Sequence, residues 1–381
     1  MASKTKMGKI AIDASHFDAA AFDGLNRYTR EVLTGLLATS ESFLVYTSAT
    51  ELEKTDRHSI SYLQDRRISR NTFRGNLSRL WWHQTALPRL LDREKASLLY
   101  SPVPEGMLFP VCPQAITIHD LLPILFPDTY PRLKYYFQYI LPRLVQNSTA
   151  ILTVSEQTKQ DIERYFPVGD RPIHVVYQSY PSDVFYPIDL ARQNDVKRHY
   201  NLDRFILGVG ETRPYKNMRR LIEAFARIEA EDLELAIVGK INKMDDTITQ
   251  LPQQLKISDR VKFLGFVPDS DLAALYSAAT AFVFPSLYEG FGIPPLEAMA
   301  CGCPAIVSRV ASLPEVCGCA AYYVNPFHVE SIAEGIAKVA RNDRMRNYLK
   351  RQGLEQAEKF KAQDLGERIL NILQDMRLKN K

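Results

Sequence analysis

Apolar positions along the chain follow two alternating patterns. Short runs rich in β-branched and aromatic residues occur at "KIAIDAS" (Lys9 to Ser15), "FLVYTS", "SLLYSP", "QAITIHD", "AILTVS" and "IHVVYQ". Between several of them the apolar residues fall three and four apart, as in "LNRYTREVLTGLLA", where Tyr28, Val32, Leu36 and Leu37 share one helix face. Strands alternating with helices predict a parallel sheet covered on both faces. The pattern restarts after a polar stretch, with "FILGVG", "LELAIVG", "VKFLGF", "AFVFPS", "PAIVS" and "AAYYVNP". The expectation is an α/β chain of two doubly wound, Rossmann-like domains, residues 1–188 and 205–361. The stretch from about 181 to 204, with Pro181 and Pro187, reads as the linker. A C-terminal helix at about 362–381 is expected to pack back on the first domain. Doubly wound domains carry ligand loops at their strand C-termini, so two of them facing across a cleft suit a two-substrate reaction.

Length and composition agree with that organisation. The 381 residues exceed what one core usually supports, and 46% hydrophobic with 24% charged residues exclude a disordered or fibrous chain. A net charge of +4 gives no reason to expect a nucleic-acid partner. Charge is uneven, however: residues 54–95 hold ten basic against four acidic residues, with Trp81 and Trp82 adjacent among them. This is a candidate surface for an anionic membrane or a phosphate-bearing acceptor, and equally a solvated face with its tryptophans turned into a core. "MASKTKMGKIAID" has no apolar signal region, so a cytoplasmic protein is expected, with peripheral contact to the inner membrane face through residues 54–95. Four of five cysteines form Cys301-Gly-Cys303 and Cys317-Gly-Cys319, pairs one residue tighter than zinc knuckles, and are read as packing residues.

The densest chemistry lies in "SLYEGFGIPPLEAMACGCP", Ser286 to Pro304. Pro294 and Pro295 predict a helix beginning at about Pro295, with Glu297 in its first turn and Glu289 in the loop before it. Gly290 and Gly292 let backbone approach a ligand, and amides from Phe291 through Ile293 to Leu296 are expected to attract negative charge. Two carboxylates beside an anion-attracting corner fit a ligand presenting both hydroxyls and phosphate, as a nucleotide sugar does. Arg213 and Lys216, after "FILGVG", are placed to receive a diphosphate, although a surface role is equally open from the residues alone. His119 and Asp120 end "QAITI", where ligand loops begin, but a histidine there is also compatible with simple packing. "GVGETR" lacks the third glycine of a dinucleotide fingerprint, which weakens an NAD reading. "DSD" at Asp269 to Asp271 resembles a metal-holding D-x-D, yet its context reads as a helix cap, and no metal is expected.

The spacing of Glu289 and Glu297, E-x7-E within "FPSLYEGFGIPPLEAMACGCPAIVSRVASLPEV", resembles the donor-site motif of glycosyltransferase family 4, the retaining GT-B enzymes. "GLNRYTREVL", "TIHDLLP", "ILTVSEQTKQDI" and "GVGETRPYKNMRRLIEAF" resemble further segments of that family, across most of the chain. The resemblance implies transfer of a sugar from a nucleotide diphosphate to a hydroxyl of a glycan or polyprenyl-linked saccharide, with no cofactor beyond the nucleotide-sugar co-substrate. It assigns Arg213 and Lys216 to the pyrophosphate, Gly24 to a loop approaching it, and His119, with Asp120, to the reacting side of the sugar. Glu289 then binds sugar hydroxyls, Glu297 the ribose, and backbone near Gly239, Lys240 and Val267 the base. The corner reads most like bacterial mannosyltransferases that use GDP-mannose for O-antigen or other surface polysaccharides. UDP-glucose, UDP-N-acetylglucosamine and dTDP-rhamnose enzymes carry nearly the same corner. More distant alternatives are a nucleotide-sugar epimerase and a non-catalytic sugar-nucleotide-binding subunit.

Overall fold

The structure is a computed structural model that describes residues 8–19, 23–49, 58–63, 72–361 and 364–379. It divides into two compact units, one of Met1–Gln178 with Gln363–Lys381 and one of Ser179–Ala362.

Among its described residues the first unit holds seven strands: β1 (Ile10–Ala14), β2 (Phe43–Thr47), β3 (Ser59–Tyr62), β4 (Leu98–Ser101), β5 (Gln114–Ile118), β6 (Ala150–Thr153) and β7 (Ile173–Val175). They form one parallel sheet in the order β3-β2-β1-β4-β5-β6-β7. Every strand run read from the sequence is present; β3 is the addition, since "SISY" carries only Ile60 as a buried aliphatic. Helix α1 (Gly24–Ala38) covers one face, burying Tyr28, Val32, Leu33 and Leu36. On the opposite face lies α2 (Phe73–Arg93), which packs Trp82, Leu87 and Leu91 on Leu44, Tyr46 and Leu99.

The C-terminal helix Leu365–Lys379 completes this unit by packing on α1. Ile369 and Leu373 are fully buried there, and each such side chain contributes about 1.5–3 kcal/mol. Gly35 and Gly366 bring the two backbones together: a Cβ on Gly366 would lie 2.1 Å from the Gly35 carbonyl carbon. Beside that crossing Arg377 forks onto Glu41, with Nη2 2.9 Å from Oε2 and Nη1 3.2 Å from Oε1. Burial alone would raise the Glu41 pKa, but the hydrogen bonds from Arg377 and Gln374 outweigh it and hold the carboxyl below its usual range.

The second unit holds β8 (Arg204–Val209), β9 (Leu233–Val238), β10 (Val261–Gly265), β11 (Ala281–Phe284), β12 (Ala305–Ser308) and β13 (Ala321–Val324). These again form a parallel sheet, in the order β10-β9-β8-β11-β12-β13. The stretch read as a linker is part of this unit. Helix Leu190–His199 packs on helix Asp269–Ala278, Ile188 donates its amide to Ser277 Oγ at 3.1 Å, and Phe185 meets Tyr276 edge to face. The polar composition of residues 181–204 reflects one solvated helix face, and the boundary falls at 178/179 instead of 188.

Two further readings change. The N-cap of the helix at Asp269 to Asp271 is Pro268, without a side-chain hydrogen bond, and Asp271, in the first turn, pairs with Arg192 and accepts from Tyr200 Oη at 3.0 Å. Within residues 54–95 the tryptophans part company, Trp81 being 72% exposed and Trp82 only 7%. Arg79 is withdrawn into an ion pair with Glu105, while Lys54, Arg57, Arg66, Arg67 and Arg70 lie outside the described residues. Cys301, Cys303 and Cys317 are buried free thiols and Cys319 is exposed; no group of three or more metal-binding side chains occurs among the described residues. No helix among them is long and apolar enough to cross a membrane.

Candidate active site

In the second sheet the strand order reverses between β8 and β11, and ligands of doubly wound sheets bind beyond the strand C-termini at such a point. The loops leaving these two strands carry the residues singled out above. After β8, the short turn Pro214–Lys216 presents Lys216, whose Nζ lies 2.8 and 3.0 Å from the two oxygens of Glu289 in the loop after β11. The ammonium also sits 5.1 Å from the centre of the Phe284 ring, a favourable position for a cation. Arg213 donates from Nε to Glu211 Oε2 at 2.5 Å. Both cations expected to receive a diphosphate are thus already paired with carboxylates, and a diphosphate binding here would share them.

Asn217, which the sequence reading passed over, holds these loops together. It adopts a left-handed backbone (φ 61°), and its side-chain amide donates to the carbonyls of Pro285 at 2.9 Å and Pro326 at 2.8 Å. One buried side chain therefore ties the exits of β8, β11 and β13. The signal in the sequence is an asparagine between "PYK" and the apolar helix Met218–Phe225, a position that favours left-handed geometry. Ser312 is a second unforeseen tether, its hydroxyl 2.9 Å from the Glu289 carbonyl and 2.6 Å from that of Phe291.

Helix Ile293–Ala300 starts two residues earlier than its prolines suggest, after Gly292 at φ 112°. Glu297 consequently lies in the second turn. It is 3% exposed, with Tyr276 Oη 3.4 Å from Oε2. Burial first, and then the Glu297 charge, raise the Tyr276 pKa well above its ordinary value, so the phenol remains a donor. Pro294 and Pro295 have no N–H, so two of the first-turn donors that attract anions are missing from this corner and Ile293 opens the helix. Gly290 is buried, Ile293 half-buried, and the Phe291 ring is packed edge-on against Phe360.

The residues expected near a base lie on the adjoining strand exits. Gly239 (φ 132°) donates its amide to the Gly265 carbonyl at 2.8 Å, and a Cβ on it would fall 2.3 Å from the Gly210 carbonyl oxygen, so no larger residue fits. Lys240 is exposed, its carbonyl accepting from the Thr212 amide at 3.1 Å, and Val267 is buried. Arg213, Gly239 and Lys240 therefore share one stretch of the sheet edge.

His119, Asp120 and Gly24 belong to the first unit. Gly24 opens α1, capped by Asp23, with nothing within 4 Å of the place a Cβ would occupy. His119 donates from Nε2 to the Pro102 carbonyl at 2.8 Å, and its Nδ1 lies 3.0 Å from the Gln178 amide nitrogen. Burial lowers its pKa to about 4, so the ring is neutral at pH 7, and Tyr28 packs edge-on against it at 4.5 Å. A sugar hydroxyl reaching Nδ1 would have to displace Gln178. Asp120 accepts the Leu122 amide at 2.9 Å, a turn-forming contact.

Comparison with known proteins places this arrangement. The family model for glycosyl transferases group 1 matches residues 191–356, and that for glycosyltransferase family 4 matches residues 22–181. The chain is 33% identical over 261 residues to O-antigen chain mannosyltransferase B of Escherichia coli, covering 67% of this chain and 68% of that one. It is 31% identical over 258 residues to O-antigen chain mannosyltransferase RfbU of Salmonella typhimurium, covering 67% and 69%. Among solved structures it is similar to sucrose-phosphate synthase from Thermosynechococcus elongatus, with TM-score 0.78, 21% identity and coverage of 97% and 99%. It is also similar to Anabaena HepE in complex with UDP-glucose, with TM-score 0.72, 18% identity and coverage of 97% and 100%. At those identities the structural likeness concerns the fold alone. With its paired parallel-sheet units and its E-x7-E corner, the chain belongs to glycosyltransferase family 4 and is a glycosyltransferase of the GT-B class.

Proposed function

We propose that the chain transfers mannose, with retention of configuration, from GDP-mannose to a hydroxyl of a glycan or polyprenyl-linked saccharide during assembly of an O-antigen-type surface polysaccharide. The observation that carries this reading is the similarity, over two thirds of both chains, to an O-antigen chain mannosyltransferase, combined with the Lys216–Glu289 junction at the strand reversal of the second sheet. In this reading Arg213 and Lys216 take the diphosphate, Glu297 the ribose and Glu289 the mannose hydroxyls. Gly290 to Ile293 supply amides, Gly239, Lys240 and Val267 the base contacts, and Gly24 with His119 the first unit's share. Asp120 supports His119 through the turn it closes. The bond from the anomeric carbon to the β-phosphate breaks as the acceptor oxygen bonds to the same face. The departing phosphate oxygen takes the acceptor's proton, and Arg213 and Lys216 stabilise the charge left on GDP.

In this reading no divalent ion is needed, since Arg213 and Lys216 would supply the positive charge at the diphosphate and Asp271 is engaged by Arg192 and Tyr200. Turnover unaffected by EDTA supports this; loss in EDTA and recovery with Mn²⁺ contradicts it. The donor is tested by thermal shift with a panel of nucleotide sugars, because a ligand held only by the folded state raises its stability. GDP-mannose is expected to give the largest rise and an α-linked product; a larger rise with UDP-glucose, UDP-N-acetylglucosamine or dTDP-rhamnose overturns the choice of donor. The acceptor reading is supported by Arg74, Leu77 and Trp81, exposed in succession along α2, where a basic residue beside apolar ones suits the inner face of a membrane. Flotation with anionic vesicles, weakened by salt and by Trp81→Ala, checks it.

A further inference from the structure

We propose that His83 and Asp13 are positioning residues, a buried pair that fixes the exit of β1 and through it the start of α1. The catalytic consequence rests on the reading that Gly24, at the start of α1, approaches the donor.

Asp13 is the next-to-last residue of β1 and His83 lies in the middle of α2; each side chain is 1% exposed. His83 Nε2 is 2.6 Å from Asp13 Oδ2, and Asp13 Oδ1 accepts the Ser15 amide at 3.0 Å. The next residue, His16, lies with Nε2 2.8 Å from the Thr29 hydroxyl, which itself donates to the Leu25 carbonyl at 2.9 Å. That direction makes His16 Nε2 the donor, and its Nδ1 is buried without a partner. The Asp18 amide then donates to Asn26 Oδ1 at 2.8 Å, and Asn26 is held by Asp23 through its amide at 3.0 Å and its side chain at 2.7 Å. Hydrogen bonds thus tie α2 to Asp13, and the residues that follow Asp13 in the chain to Thr29 and Asn26 on α1, the latter held by the residue before Gly24.

A second pair lies one helical turn earlier on α2. Arg79 Nε is 2.8 Å from Glu105 Oε2 and its Nη2 is 3.0 Å from Oε1, in the loop that follows β4. β1 and β4 are the neighbours at which the strand order of the first sheet reverses. α2 therefore places one basic side chain beside each of the two exits where ligand loops start. Shielded polar pairs of this kind contribute little net stability compared with apolar packing, because desolvation cancels most of their attraction, but they hold a narrow geometry. The groups facing His83 are Asp13 from β1, Glu105 from the loop after β4, and Arg79 on its own helix. Burial opposes its charge, and Asp13 outweighs burial, so its pKa is raised.

The test compares wild type, His83→Leu, His83→Gln and Asp13→Asn in the full chain, by amide exchange over residues 15–19 and 23–29 and by donor kinetics. His83→Leu is expected to speed exchange in these segments at least tenfold while exchange in the second unit is unchanged. His83→Gln, which keeps a donor toward Asp13, should restore protection to within about threefold even if His83→Leu proves too unstable to study. Unchanged exchange in His83→Leu, or no recovery of protection in His83→Gln, overturns the positioning role. Kinetics then separate the two claims: donor KM rising at least fivefold with kcat changed less than twofold supports the link to the donor. Faster exchange with unaltered kinetics leaves the positioning role standing and removes Gly24 from the donor site.

Discussion

Lys216 and Glu289, 73 positions apart in sequence, meet with both carboxylate oxygens within 3.0 Å of one ammonium. The side chains are 16% and 11% exposed, so the pair is largely shielded from solvent. Replacing either residue leaves a mostly buried charge without its partner, at a cost of about 1–3 kcal/mol beyond any lost ligand contact. Glu289→Ala is expected to lower kcat/KM at least a hundredfold, and Lys216→Ala similarly. The double variant should be only slightly worse than either single one, because residues acting as a unit are not additive. Full additivity of the two losses in steady-state kinetics would show that the residues act separately.

Glu297 has a different outcome, because it lies one turn into its helix, buried, beside the Tyr276 hydroxyl. A carboxylate that holds a remote ribose contributes equally to ground and transition states. Glu297→Gln should therefore raise donor KM about tenfold or more with kcat within threefold of wild type. Tyr276→Phe, which removes only a hydroxyl 3.4 Å away, should raise KM a few-fold at most. A fall in kcat with unchanged KM for Glu297→Gln would place this residue at the reacting centre instead.

The strand and helix order was legible because buried parallel strands are rich in apolar residues, and of the thirteen strands among the described residues twelve lie in the apolar-rich runs read above. The E-x7-E corner was legible because its glycines, prolines and carboxylates are contiguous. What escaped is what the fold brings together from afar. Nothing near Lys216 announces that its partner is Glu289, and nothing near His119 announces that Gln178 and the Pro102 carbonyl occupy its ring nitrogens. The linker misled for a related reason: Leu190–His199 buries only Val196, so its composition reads as solvent-exposed chain although the helix is packed. Nor does "DSD" announce that the N-cap of its helix is Pro268 and that the Asp271 carboxylate finds cationic and phenolic donors on a neighbouring segment.

The crossing of Gly35 and Gly366 makes the C-terminal helix sensitive to a single methyl group. A Cβ on Gly366 meets backbone atoms at 2.1 to 2.6 Å, and backbone cannot rotate away as a side chain can. Gly366→Ala is expected to destabilise the first unit by about 1–3 kcal/mol, the usual range for overpacking. In a unit of this size each kcal/mol lowers Tm by roughly 2–4 °C. Arg377→Ala should add to the effect by releasing Glu41, whereas Leu378→Ala, at an exposed position of the same helix, should leave Tm unchanged. Calorimetry of the three variants checks this order.

The histidines of the first unit predict opposite limbs of a stability profile. Burial holds His16 and His119 neutral, each with its pKa lowered from 6.5 to about 4. The folded state thus binds fewer protons than the unfolded chain between these values, so the stabilisation is complete above about pH 6.5 and is lost as pH falls toward 4. A displacement of that size corresponds to on the order of 3 kcal/mol per ring. His83 behaves in reverse. Its pKa is raised because Asp13 outweighs burial, so its contribution is complete below about pH 6.5 and disappears as pH rises through its folded value. Tm of the first unit should therefore fall on both sides of a maximum near neutrality, steeply on the acid side. His16→Gln and His119→Gln should flatten the acid limb and His83→Gln the alkaline one. A wild-type Tm constant between pH 6.5 and 4.5 would mean that both rings take up protons in the folded protein as readily as in the unfolded chain, and His119 Nδ1 would then have to face the oxygen of Gln178 and His16 Nδ1 to gain an acceptor.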